Sequence, residues 1–324
     1  MSIAGLVAVL TAVLAISGFW LNNALKCGVW GYKPGWFVGY CSNPKYGDYG
    51  DYDHGALFYG LETVAVNNAK QADVLIFGNS RTLFALPSDG TRPYFSKLGL
   101  SYFNLAFGHD ERDHFPLRLA QKLELRPKLI IINVDPMFSG TMSHVGLNLI
   151  ASPLDVWLRY RAKWLLNKSH KRICETAPWL CGSQQGPLGT FFRSEIDGGW
   201  GFYEVIPDSE GIPITEIKKQ PMVISQETLA PFIDNARKFI DGLGFENKCV
   251  IFTGVPNSLV NSEEVALHIA KALNLFHAIP RISGLFTIDG SHFTTPSADR
   301  WREAFFNELQ PILASCLASS RTKH

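Results

Sequence analysis

ADVLIFGNSRTLFAL, running from Ala72 to Leu86, holds a strand, a break and the start of a helix in one short stretch. Val74 to Phe77 is an apolar run of β type, and Gly78-Asn79-Ser80 interrupts it just before a segment able to turn helical. A serine so placed stands at the carboxyl end of a buried strand, where open α/β sheets gather their chemistry. Ser80 is therefore the candidate nucleophile. A serine hydroxyl attacks only when a neighbouring base takes its proton, so an imidazole and a group to orient it are required. Asp289-Gly290-Ser291-His292, just before the last expected helix, offers both. Asp51 and His54 repeat the same spacing, but in an aromatic segment ahead of the first core strand.

Working outward, the pattern alternates strands and helices. Tyr102 to Ala106 reads as the second strand, followed by a helix that opens at His109 to His114 and runs to about Leu125. Lys128 to Val134 is a third strand, continuously aliphatic as in parallel sheets buried on both faces. Gln226 to Leu243 reads as a helix with Pro231 in its first turns, Cys249 to Thr253 as the fourth strand, and Glu263 to Leu275 as a helix. Leu285 to Ile288 is a brief strand, and Ser297 to Leu317 closes the chain as a helix. Repeated βα units of this kind belong to the doubly wound α/β class. Asp110, Glu111 and Asp113 suit the first turn of their helix through the macrodipole.

These residues resemble a family. Gly78-Asn79-Ser80 after a strand, Asn104-Leu-Ala-Phe-Gly108 at the end of the next, and Asp289-x-x-His292 before a terminal helix are similar to blocks one, two and five of the SGNH (GDSL-like) hydrolases. The resemblance covers roughly 72–135 and 248–314. It implies a three-layer α/β/α fold, a Ser80/Asp289/His292 triad, and an oxyanion hole formed by the backbone N–H groups of Ser80 and Gly108. Two departures stand out. Asn79 replaces the usual Asp, a mild change. In the third block, Leu129-Ile-Ile-Ile-Asn133-Val-Asp135 puts Asp135 where the family carries an oxyanion-binding Asn. An ionised carboxylate cannot donate to an oxyanion, and loss of one donor costs about a hundred- to a thousandfold in rate. Either Asn133 substitutes or two backbone donors suffice. Asn257 is set aside, because the Leu129–Asp135 strand already occupies that block. His109 and Asp135 are candidate substrate contacts. With Ser80-Arg81-Thr82 the variant is similar to membrane-anchored SGNH-like proteins that acylate exported polymers, such as the alginate acetylation proteins and the D-alanyl-lipoteichoic acid transfer protein.

The flanks bear on location. Residues 1–25 carry no charged side chain, and Ile3 to Leu21 would form an apolar helix of roughly 28 Å, near the hydrocarbon thickness. An uncleaved anchor is favoured over a signal peptide: Ala15 and Ser17 suit cleavage, but no basic n-region precedes the run. Lys26 and Lys33 after the span vote weakly for a cytoplasmic domain. Cysteines vote for an oxidising compartment, through the close pairs Cys27 with Cys41 and Cys174 with Cys181. Cys249 and Cys316 are expected to be simply buried. Residues 26–70 form an aromatic, Gly-rich juxtamembrane segment suited to a bilayer interface, to stacking on sugars, or to packing as a loop over the domain.

The core is thus read as 71–136 and 222–324, with residues 137–221 inserted over the site. Within the insertion, Trp157 to Arg172 mixes basic, aromatic and aliphatic side chains. It is either an ordinary solvated helix or a surface for an anionic membrane or acidic polymer. At 324 residues and 46% hydrophobic, the chain can bury a sizeable core. A formal charge of +1 lacks the electrostatic footprint of a nucleic-acid binder. No Gly-x-Gly-x-x-Gly follows a strand, and no spacing matches a zinc ribbon or a calcium loop, so no cofactor and no metal are expected. The expectation is a membrane-anchored, extracytoplasmic serine acyltransferase acting on a cell-envelope polysaccharide, supplied by a multispanning membrane O-acyltransferase partner. An envelope carbohydrate esterase and a glycan- or partner-binding protein without chemistry are the alternatives.

Overall fold

The computed structural model describes residues 34–41, 50–108, 111–135, 137–177, 179, 190–201, 214–218, 225–244 and 249–321. The expected N-terminal span, Cys27, Cys181 and His109 lie outside the described residues. Among the described residues, no helix is long and apolar enough to cross a membrane.

Eleven strands are described, numbered β1 to β11 in chain order. The central sheet consists of β3 (Val74–Phe77), β4 (Tyr102–Asn104), β5 (Leu129–Asn133), β9 (Cys249–Thr253) and β10 (Phe276–His277), in the order β10-β9-β5-β3-β4. Every pairing in it is parallel. The chain thus starts beside the middle of the sheet, winds to one edge and then crosses to the other, which leaves a crevice between the carboxyl ends of β3 and β5.

Side chains of a strand point alternately to opposite faces, and here both faces are covered. Leu75, Phe77, Ile130, Ile132, Val250 and Phe252 share one core with Ala65, Phe115, Leu119, Phe239 and Ile269 of helices Thr63–Gln71, His114–Lys122, Gln226–Gly242 and Ser262–Leu273. Val74, Ile76, Leu129, Ile131 and Ile251 share the other with Phe95 of helix Ser88–Lys97 and with Trp301, Phe305 and Leu309 of helix Thr295–Arg321. Burial on both faces explains why β3, β5 and β9 read as unbroken apolar runs.

Four expectations are corrected. The fifth core strand is β10, and the 285–288 run yields β11 (Phe286–Thr287), which pairs antiparallel with β8 (Thr215–Glu216) away from the main sheet. The 109–125 helix begins only at His114. Glu111 is buried before it and accepts hydrogen bonds from Ser143 N (2.9 Å) and Oγ (2.5 Å), so it serves the interior and not the macrodipole. The aromatic segment and the insertion are not separate. β1 (Trp36–Cys41) and β2 (Gly50–Asp51) join β6 (Thr190–Ser194) and β7 (Trp200–Gly201) in an antiparallel sheet ordered β2-β1-β6-β7. Finally, Cys249 and Cys316 form a disulfide that ties β9 to the last helix, and Cys174 is disulfide-bonded as well.

The second sheet is tied to the first by buried polar contacts. Arg193, wholly buried, donates to Asp53 Oδ2 (2.7 Å) and to the Asn104 carbonyl, and its guanidinium lies 4.7 Å from the Phe107 ring centroid. Asp197 accepts from Ser88 Oγ and Arg92 Nε. The basic segment forms helix Leu154–Thr176, which buries Val156 and Tyr160, pairs Lys168 with Glu62 and Lys171 with Glu195, and exposes Leu154, Leu158 and Leu165.

Candidate active site

Ser80 opens helix Ser80–Ala85, and the turn before it explains its place. Asn79 is extended (φ −119°) and caps the helix by accepting from Arg81 N at 3.0 Å. Its amide also donates to the Asp135 carbonyl, tying the turn to the end of β5. Gly78 has to be glycine because a Cβ there would collide with Thr82 Oγ1, and this lets the helix close down on the strand ends.

Residues distant in sequence meet at this turn. His292 Nε2 is 2.8 Å from Ser80 Oγ, and His292 Nδ1 is 2.6 Å from Asp289 Oδ2. The other Asp289 oxygen accepts from the backbone N–H groups of Ser291 (2.9 Å) and His292 (2.8 Å). Gly290, at φ +77°, supplies the left-handed backbone of this turn. Partial burial raises the Asp289 carboxyl, but bonds from His292 and the two N–H groups outweigh it and hold the group down at about 2. It is therefore ionised throughout the range in which an imidazole works as a base. The His54 of the rival spacing is fully buried, with Nδ1 2.9 Å from Asp53 Oδ1.

Two backbone N–H groups lie where the resemblance puts oxyanion donors, that of Ser80 at the first helical position and that of Gly108 in the loop after β4, and a parallel bridge between Asn79 and Phe107 holds these two segments side by side. Asn133 is excluded as a third donor. It is fully buried, its Nδ2 donates to Thr82 Oγ1 (2.9 Å), and its Oδ1 accepts from Val255 N (3.0 Å), so its amide braces strand ends.

Asp135 occupies the floor beside the triad and belongs to a network the spacing of motifs did not reveal. Its Oδ2 accepts from Arg81 Nη1 (2.6 Å) and from Asn257 Nδ2 (2.9 Å). Its Oδ1 is buried without a hydrogen bond. Burial lifts this carboxyl to about 6 in spite of the Arg81 guanidinium. Arg81 also donates through Nε to Ser291 Oγ (2.7 Å), so one guanidinium joins the start of the Ser80 helix, the end of β5 and the Asp289–His292 turn. Asn257, set aside from sequence, is thus a neighbour of the site through Asp135. Asp135 itself is too deeply buried to touch substrate as it stands. Among the described residues no cluster of His, Cys, Asp and Glu could hold a metal ion.

Chemically, the arrangement can take a proton from Ser80, carry it on an oriented imidazole and stabilise negative charge beside a helix N-terminus. No family model, no curated protein and no solved structure matches this chain.

Proposed function

We propose that this chain is a serine acyl-transfer enzyme of the SGNH type, membrane-anchored through residues 1–25 with its folded domain outside the cytoplasm. On this reading it moves an acyl group onto an exported cell-envelope polysaccharide. The observation that carries the chemistry is the unbroken chain Ser80 Oγ, His292, Asp289 at 2.8 and 2.6 Å. With the proton on Nδ1 facing Asp289, His292 Nε2 accepts the Ser80 proton as Oγ attacks an ester or thioester carbonyl. The Ser80 and Gly108 N–H groups stabilise the oxyanion, and His292 returns the proton to the departing oxygen or sulfur. An acceptor hydroxyl then repeats the sequence in reverse and frees Ser80. The donor's acyl group would be supplied by a multispanning membrane O-acyltransferase.

Hydrolysis is the second reading, and one feature favours it. The Asp289 and His292 side chains are 47% and 22% exposed, which gives water a route to the acyl-enzyme. Expected outcomes separate the cases. A serine-directed covalent probe labels the natural chain and not Ser80→Ala, and Ser80→Ala loses on the order of a millionfold in kcat on a chromogenic acetyl ester. Adding an oligosaccharide yields acylated sugar by mass spectrometry for a transferase and free acid alone for an esterase. Absence of labelling in the natural chain would return the protein to the binding class. A reporter after His324 found in the cytoplasm would sink the envelope assignment.

A further inference from the structure

Helix Leu154–Thr176 is fixed to the domain along one side. Val156, Tyr160 and Cys174 are buried there, Cys174 in a disulfide, while Lys168 and Lys171 reach Glu62 (2.9 Å) and Glu195 (3.5 Å). Its other side is open. Leu154, Leu158 and Leu165 are 70%, 49% and 58% exposed, and Arg161 and Arg172 are exposed with them. Positions 154, 158, 161, 165 and 172 recur at the spacing of helical turns, so they form a single stripe roughly 27 Å long. The Arg161 guanidinium lies 5.2 Å from the Trp157 ring and 5.8 Å from the Trp164 ring, which keeps a cation and two indoles together on this helix. Six Lys and Arg side chains stand on it against two acids.

The stripe mixes leucine with arginine, and that mixture selects what can cover it. An acidic polymer would pair with the arginines and leave the leucines in water. The same face of a second copy would bring arginine against arginine. An anionic bilayer surface satisfies both, since the acyl boundary takes the leucines and lipid phosphate takes the arginines. The course of the chain points the same way. Gly35, at the start of the described chain, accepts through its carbonyl from Glu195 N (2.8 Å), and Glu195 pairs with Lys171, so the folded domain begins beside this helix. Twelve residues, a tether of at most about 45 Å, separate Pro34 from the apolar run that ends at Leu21. We infer that helix Leu154–Thr176 is a second membrane contact, lying flat on an anionic bilayer with its leucine stripe in the surface and Arg161 and Arg172 on lipid phosphate. The inference rests on the anchored reading of residues 1–25 for the nearness of a bilayer, and adds a fixed attitude of the domain upon it.

Spin labels on the full chain, reconstituted into vesicles of phosphatidylglycerol and phosphatidylcholine, test it. No cysteine is free among the described residues, so Leu158→Cys and Leu165→Cys can each be labelled singly. Ala272→Cys is the reference, exposed on helix Ser262–Leu273, which leads into β10 at the edge of the main sheet opposite β4. The expected result is more collision with oxygen than with a water-soluble nickel chelate at 158 and 165, and the reverse at 272. The ratio of docked to free label should fall about fivefold in Arg161→Gln, and about as much again with Arg172→Gln added. Labels at 158 and 165 that behave like the reference would overturn the inference, as would docking undiminished on phosphatidylcholine alone. Spin–spin broadening at 158 would put a second copy on the stripe, and shielding by polygalacturonate without lipid would give it to an acidic polymer; either result overturns the bilayer contact. A label at Val13→Cys separates this contact from the anchor. Lipid contact at 13 without contact at 158 and 165 defeats the inference alone, whereas contact at 158 and 165 with position 13 in water defeats the anchor and leaves the helix on the bilayer.

Discussion

Two buried arginine–aspartate pairs, one beneath the second sheet and one beside the triad, are built from the same residues and behave oppositely. Arg193 and Asp53 lie wholly inside, and each Asp53 oxygen has its own partner, His54 Nδ1 on Oδ1 and Arg193 Nη1 on Oδ2. Burial raises this carboxyl, yet His54 and Arg193 outweigh it and leave the group below the ordinary range. Asp135 receives both its donors, Arg81 and Asn257, on a single oxygen, and the other is buried without a partner. There burial wins and the carboxyl rises to about 6. The number of satisfied oxygens, more than the presence of an arginine, decides which way a buried carboxylate moves. The satisfied pair is a fastening; the half-satisfied one sits beside the Ser80, His292 and Asp289 chain, the kind of place where perturbed titrations gather.

The largest expected effect breaks the fastening. Arg193→Ala leaves Asp53 Oδ2 buried without its guanidinium and His54 as the carboxylate's remaining partner, and breaking a buried pair in this way typically costs about 3 to 5 kcal/mol. Urea unfolding of that variant should show the loss, while replacing both partners, Arg193→Met with Asp53→Leu, should recover much of it. A loss below about 1 kcal/mol in the single variant would mean that the pair holds nothing together.

A smaller effect sharpens the other half of the comparison through pH. With its folded pKa raised to about 6 against 3.8 unfolded, the Asp135 group favours folding below pH 3.8, and that contribution is lost as pH rises through 6. The swing is on the order of 3 kcal/mol. Asp135→Asn removes the titration, so its stability relative to the natural chain should rise between pH 4 and pH 7. A pH-independent difference would show that Asp135 titrates normally. The same measurement on Asp53→Asn should show no gain over that window, because Asp53 is ionised through it.

The contrast also explains what could be read from the chain alone. β3, β5 and β9 were legible because burial on both faces leaves nothing polar to interrupt Val74–Phe77, Leu129–Ile132 or Cys249–Phe252. Ser80, Asp289 and His292 were legible because nucleophile chemistry demands particular residue types at strand ends. The Arg81, Asp135, Asn257 and Ser291 network left no periodic trace: its bonded members are 54, 122 and 210 positions apart, and each alone is an ordinary polar residue. The second sheet escaped for the same reason, since β1 finds its partner in β6 across the whole first half of the core. β10 is two residues long and exposed, too short to show alternation. Asn133 misled because an Asn at a strand end looks like a donor to solvent until its neighbours Thr82 and Val255 are seen to use it.

The smallest expected effect addresses how the half-satisfied pair serves the triad. In the acyl-transfer reading Arg81 acts as a positioning residue: Nη1 holds Asp135 while Nε holds Ser291, within the same turn as Asp289 and His292. Lysine keeps the charge but is a single point donor and cannot make both contacts. Arg81→Lys should therefore lower kcat about tenfold, roughly 1.4 kcal/mol, with KM little changed, because the loosened imidazole is missed in the transition state and not in substrate binding. Ser291→Ala removes the other end of one of these bonds and should cost less. If the bond between them matters, the double variant will be little worse than Arg81→Lys alone, since neighbours sharing one interaction are not additive. Additive losses would detach Arg81 from the turn, and a loss of folding stability matching the loss of rate would make this pair a fastening like the one at Arg193.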